Sequence, residues 1–235
     1  DDHLSRFRIV APTAILGYGF PERSFRRALA DDSAPVDLIA VDAGSIDPGP
    51  YYLATRTSFT ALEHVVRDLR VMIKGFLELH RTAVAASQLE NTLENTKEGH
   101  VRRPKLVVGS AGGCGTDNQV DILAREVRRL LAEEGGAALS SRMAIATVTS
   151  ELRRDHCNDG HGSGHHGSRH SSRLPRLHLL SNRALSPLGP QPGGVDRGQA
   201  DLDDPATVVV AQMGLDPIMC ALDHADVVIC GRAYD

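Results

Sequence analysis

Three short apolar runs, each ending abruptly in Gly, Ser and Asp, constrain this chain more than any other feature. They read Leu38-Ile39-Ala40-Val41 into Asp42-Ala43-Gly44-Ser45-Ile46-Asp47, Leu106-Val107-Val108 into Gly109-Ser110-Ala111-Gly112-Gly113-Cys114-Gly115-Thr116-Asp117, and Val227-Val228-Ile229-Cys230 into Gly231-Arg232-Ala233-Tyr234-Asp235. Continuous rather than alternating apolar runs suit strands buried on both faces of a parallel sheet. In such sheets ligands bind beyond the carboxyl ends of the strands, the edge where these polar, glycine-bearing residues would collect. The expected fold is therefore α/β: a three-layer sandwich with a mostly parallel, Rossmann-like sheet in one domain.

The rest of the chain fits that class. A strand is expected over Phe7 to Ala11, running into Gly17-Tyr18-Gly19, and Pro21 opens a short helix to Ala30. Asp47-Pro48-Gly49-Pro50 reads as a loop. Thr60-Ala61-Leu62-Glu63 matches a capping box. Leu62, Val65, Val66, Leu69, Met72, Ile73, Phe76 and Leu77 then follow one helical stripe. Beyond Leu79 the stripe fades, and 81–104 reads as an inserted polar loop or a helical extension. A second stripe, Val120, Leu123, Val127, Leu130 and Leu131, begins after a cap at Thr116 or Asp117 and stops at Gly135-Gly136. Met143 to Val148 is a further strand. Helices are expected over Ala206 to Met213 and from Asp216-Pro217 to His224, before a last strand at Asp226 to Cys230. Ending just past a strand, the chain reads as an α/β domain truncated at its C-terminus.

Aromatic content is 4% with no Trp, so Val, Leu, Ile and Ala must build the core. The net charge of −4 argues against a nucleic-acid partner. No run reaches the roughly 20 apolar residues of a membrane span, and the polar start lacks a signal-peptide core. Four cysteines with no C-x-x-C pair fit free thiols in a cytoplasmic setting. Six of the 11 histidines fall between His156 and His178. His161, His165, His166 and His170 have metal-binding spacing only if helical, whereas their Gly and Ser neighbours favour a low-complexity loop over 155–198.

The candidate site gathers at the strand ends. Gly109, Gly112, Gly113 and Gly115 let the backbone approach a ligand, and the helix opened by Asp117 offers free N–H groups to an anion. A tight turn without a ligand is the alternative. The segment is neither a Walker A loop nor a complete G-x-G-x-x-G. Ser110 is a candidate catalytic hydroxyl, although Val108 occupies the first Gly position of a nucleophile elbow. Cys114 is a loop filler or a nucleophile activated by a helix dipole. Asp42 and Asp47, with Gly44 and Ser45 between them, could do acid/base work or hold a divalent metal, or simply cap turns. Gly17 and Gly19 after the first strand, and Gly231, Arg232 and Asp235 after the last, complete the candidate ligand contacts. Arg232 suits a carboxylate or phosphate, or an ion pair with Asp235 or Asp42. The expected ligand is a small anionic substrate.

Taken together, five stretches resemble the acyclic terpene utilisation protein A family. They are Arg8 to Gly19, Asp42-Ala43-Gly44-Ser45 with Asp47-Pro48-Gly49-Pro50-Tyr51-Tyr52-Leu53, Gly109 to Gly113, Pro187-Leu188-Gly189-Pro190, and Asp226 to Asp235. The His80 to Arg103 and Asp155 to Leu180 stretches depart from the pattern. The resemblance implies a cytoplasmic protein of branched terpenoid-acid catabolism, with a CoA thioester as substrate. It brings no assigned catalytic residue. The implied roles are an enzyme acting on a small organic acid or acyl-CoA, or a non-catalytic subunit beside acyl-CoA enzymes, as a possible homo-oligomer.

Overall fold

The computed structural model describes residues 7–31, 35–44, 49–92, 103–151, 208 and 210–233. The chain divides into one unit of Asp1–Leu152 with Val210–Asp235, and a second of Arg153–Val209. All described residues except Val208 belong to the first. The low-complexity stretch, with its histidines and Cys157, lies outside the described residues.

Five strands, β1 (Ile9–Val10), β2 (Leu38–Asp42), β3 (Lys105–Gly109), β4 (Ile145–Val148) and β5 (Val227–Cys230), form one sheet in the order β1-β2-β3-β5-β4. All neighbours are parallel. The helices are α1 (Glu22–Leu29), α2 (Gly49–Thr55), α3 (Leu62–Thr92), α4 (Asp117–Gly135), α5 (Ala137–Ser140) and α6 (Asp216–His224). A mostly parallel sheet flanked by helices is thus the observed α/β architecture.

Register explains the core. Ile39, Leu106 and Val227 stand side by side across three strands, and one layer further along stand Val41, Val108 and Ile229. These six pack with Leu69, Met72, Ile73 and Phe76 of α3 and Val120, Val127, Leu130 and Leu131 of α4, all but Val41 fully buried. Both expected helical stripes are therefore the faces that meet the sheet, except that Leu62 at the start of α3 is exposed. Gly75 lets α1 close on α3, since a Cβ there would run into Leu29 and Phe25. Glu133 and Glu134 of α4 reach Arg70 of α3.

The opposite face is covered differently. Ile218 of α6 packs with Val228 and Cys230, joined by Val107, Ala146 and Val148. Chain progress runs β1, β2, β3, skips to β4, then returns to β5, and right-handed crossovers place the returning helix on the other face. Among the described strands only β5 is buried on both faces. In β2 and β3 burial alternates, because α6 is the one described helix on the second face and covers only the β5–β4 side.

Several boundaries differ from expectation. β1 is shorter, and Pro21 is the N-cap of α1 rather than its first residue. Gly49 and Pro50 open α2 instead of forming a loop, since Pro is tolerated where a helix's first N–H groups are unpaired anyway. α3 runs to Thr92, so the polar stretch after Leu79 starts as a helical extension. The Thr60 hydroxyl donates to the Leu16 carbonyl at 3.1 Å, and α3 begins at Leu62, so Thr60 ties two segments together rather than heading a capping box. Val210 and Met213 sit in isolated bridges to Glu151 and Ala233, not in a helix. β-branched residues such as Val208 and Val210 suit extended backbone better.

Candidate functional site

The carboxyl ends of β2, β3, β5 and β4 converge on the loop Ser110 to Thr116, and Gly113 is its hub. A Cβ at Gly44 would overlap Gly113 Cα, so the loops after β2 and β3 touch backbone to backbone. Gly113 itself has φ +88°, and a Cβ there would lie 2.7 Å from Phe59 Cβ. Only glycine fits both the left-handed backbone and the space. Arg232 Nη1 donates to the Gly113 carbonyl at 3.0 Å, and Phe59 N–H donates to the Gly112 carbonyl at 2.9 Å.

Strand-like bonds knit the β3, β5 and β4 ends into a closed unit. Ser110 and Ala111 N–H donate to the Gly231 and Cys230 carbonyls, and Gly231 N–H donates to Val148. The Ser150 hydroxyl donates to the Gly115 carbonyl at 3.2 Å and accepts from Arg232 N–H at 3.1 Å. Gly109 lies at the end of β3, where its carbonyl accepts from Ala43 N–H. Gly112 packs against the Gln119 side chain. Ser110 is buried with φ +49°, an uncommon backbone for a residue with a side chain.

The structure changes two expectations about where an anion would sit. Thr116 caps α4 by accepting from Gln119 N–H. The next free group, Asp117 N–H, donates to the Glu151 carboxylate at 3.2 Å, while Glu151 N–H donates back to Asp117 Oδ1 at 3.2 Å. The preference of a helix N-terminus for negative charge is met by the chain's own carboxylate. Asp117 is accordingly part of an internal clasp rather than a ligand contact. The Gly17-Tyr18-Gly19 turn behaves in the same way. Asp68 Oδ2, buried on α3, accepts from Gly17 and Gly19 N–H at 2.8 Å each. These two glycines hold a turn, and their N–H groups are committed. Neither Glu151 nor Asp68 was visible as a site residue in the sequence, because each acts across more than 30 positions.

The remaining groups of this edge differ in exposure. Asp42 is exposed at the end of β2, with Oδ1 accepting from Gly44 N–H at 2.8 Å, so turn chemistry uses one of its oxygens. Arg232 is only 8% exposed, a fixed positive charge braced on Gly113. Cys230 donates to the Val108 carbonyl, and burial, with help from the Asp42 charge, pushes its thiol up to about 12. Cys114 is buried with its thiol against the Thr116 hydroxyl, which fits the loop-filler role. Among the described residues no group of acidic, His and Cys side chains is arranged to hold a metal. Ser45, Asp47 and Asp235 lie outside the described residues.

An aromatic chain borders the hub. Tyr18 stacks on Phe59 (centroids 5.8 Å apart, planes 18° apart), Tyr52 meets Phe59 edge-on at 5.4 Å, and Tyr51 meets Tyr52 edge-on at 5.2 Å. Composition hid this cluster, since so few aromatics are spread over three separate segments.

Comparison with protein-family models, curated proteins and solved structures gave no match. That result overturns the functional vocabulary carried by the resemblance: nothing ties the chain to acyclic terpene utilisation, acyl-CoA or catabolism, and CoA is not retained as a ligand. Among the described residues no helix is long and apolar enough to cross a membrane.

Proposed function

We propose that this chain binds a small organic acid at the carboxyl edge of its sheet, over the ends of β2 and β3, and acts on it as an enzyme. In this reading the fold is the three-layer, Rossmann-like sandwich expected from the sequence. The observation that carries it is the buried Arg232 cation braced on Gly113, at the edge where open α/β sheets receive their ligands. Its guanidinium is spent partly on the protein itself, so it contributes chiefly as fixed charge favouring a carboxylate or phosphate. Asp42 is an exposed carboxylate of that edge and would serve as acid or base. Ser110, buried and in left-handed backbone, is a polar side chain of the loop after β3.

The test is a thermal-shift screen of the full chain against small carboxylates and phosphate monoesters, since a ligand of the native state raises the melting temperature. Shifts are expected for acids and not for their methyl esters. Asp42→Asn should retain or tighten binding, because it removes a negative charge, while abolishing turnover of any acid found to react. Arg232→Met, folded but without the charge, should lose the shift. Equal shifts for acids and esters, or an Arg232→Met protein that melts cooperatively and binds acids normally, would end this reading.

A further inference from the structure

The Gly17-Tyr18-Gly19 turn displays a large ring in a way that neither turn geometry nor core packing requires. Tyr18 is 65% exposed, yet its backbone is among the most heavily tied segments of the domain. Leu16, fully buried, anchors the entry, with its N–H donating to the Asp42 carbonyl and its carbonyl accepting from Thr60. Asp68 takes both flanking glycine N–H groups, and Arg67 Nη2 donates to the Gly17 carbonyl at 3.2 Å. Tyr18 N–H donates to Ile15. Gly17 and Gly19 have φ +98° and +81°, so the ring stands between two left-handed residues. Only its exposed position distinguishes Tyr18 from a core residue held with equal care.

The other rings are fixed to the same hub as the cation. Phe59 is bonded through its N–H to Gly112, and its Cβ abuts Gly113, which also receives Arg232. Tyr18 lies parallel on Phe59, and Tyr51, 64% exposed, closes the far end of the series. Three of the four tyrosines in a chain that has no Trp thus form one series with Phe59, which abuts the loop that receives Arg232. Rings held in place before a ligand arrives lose little freedom when it binds, which is the advantage of preorganisation.

We infer that Tyr18 is a specificity residue whose face stacks on a planar, π-conjugated ring, so that the acid bound at this edge is an aryl or similarly flat organic acid. This rests on the reading of the edge as an organic-acid site. It commits the ligand to a flat ring because aromatic faces reward stacking with another π-face, whereas an aliphatic acid would gain only contact area. Aromatic stacking measured by alanine substitution corresponds to a loss of roughly 5- to 150-fold in affinity.

The experiment titrates the full chain with benzoate, phenyl phosphate and cyclohexanecarboxylate, following tyrosine fluorescence and the melting temperature. Benzoate and phenyl phosphate should bind at least about tenfold more tightly than cyclohexanecarboxylate, and Tyr18→Ala should erase that preference while lowering the weaker cyclohexanecarboxylate affinity and the melting temperature of the free protein only slightly. Tyr18→Phe should restore it, since the ring face and not the hydroxyl is used. Flat and saturated acids bound equally, with Tyr18→Ala indifferent, would overturn the stacking role while the organic-acid site stands. Binding of none of the three acids would overturn both. A Tyr18→Ala protein that melts markedly lower would assign the ring to stability and also defeat the inference.

Discussion

Replacing Asp68 offers the sharpest test of how this edge is built. Its carboxylate is buried at 3% side-chain exposure and accepts two backbone N–H groups at 2.8 Å each. Hydrogen bonds to a charged acceptor contribute about 1.5–3 kcal/mol each, and a buried donor left without a partner costs about 1–3 kcal/mol. Gly17 N–H is in a fully buried bond, whereas the Gly19 bond is partly open to water, which can replace the lost acceptor there. The ion pair with Arg67 adds little, because that guanidinium is 53% exposed and screened by solvent. Asp68→Ala should therefore cost about 2–4 kcal/mol. Asp68→Asn keeps a carbonyl oxygen for both donors but loses the charge, so its cost should be about 1–2 kcal/mol. Urea unfolding of both variants, with amide exchange at Gly17 and Gly19, measures this directly. A loss below about 0.5 kcal/mol for Asp68→Ala, or equal losses for the two variants, would refute the claim that this carboxylate holds the turn.

Other outcomes follow from the same geometry. Gly113→Ala must place a side chain at φ +88° and 2.7 Å from Phe59 Cβ, so it should cost at least about 1–2 kcal/mol in urea unfolding. His80 is buried with Nδ1 unbonded, and desolvation holds it below its ordinary 6.5, opposed by the Asp226 charge and assisted by Arg103 and Lys105. The unfolded state then takes the proton first, so stability should fall as pH drops through about 6.5 toward the lower folded value, and His80→Leu should flatten that slope in urea melts at pH 5.5 and 7.5. Cys230, with its thiol pushed up to about 12, should resist iodoacetamide at pH 8 in the native protein while exposed Cys220 is labelled, as peptide mass mapping would show.

The sequence made the core legible because periodicity reports burial. The stripes of α3 and α4 and the apolar runs of β2, β3 and β5 appear where expected, since each is a local pattern with a local cause. What failed to show were pairings between distant residues. Glu151 looks like any residue after a strand, and nothing near it reveals that it closes on the N-terminus of α4. Asp68 looks like a polar residue inside an amphipathic helix, though it holds a turn 49 to 51 positions away. Those proposed ligand contacts that the structure describes lie at the carboxyl edge of the sheet, but several of their donors are spent on the protein. Gly17, Gly19 and Asp117 have the residue types of an anion cradle because they cradle anions that the chain itself provides. The helix expected over Ala206 to Met213 is absent at Val210 to Met213 for a local reason, since Asp204-Pro205 suggests a helix start whereas β-branched valines favour extended backbone.

The most direct measurement of the central claim is an amide chemical-shift titration of the full chain with benzoate. Binding at the carboxyl edge predicts progressive, saturable shifts at Tyr18, Gly44, Gly113 and Arg232, with Lys105, Ala225 and Asp226 at the opposite end of the strands unmoved. Shifts confined to that opposite end, or no saturable shift at the four edge residues, would contradict the account.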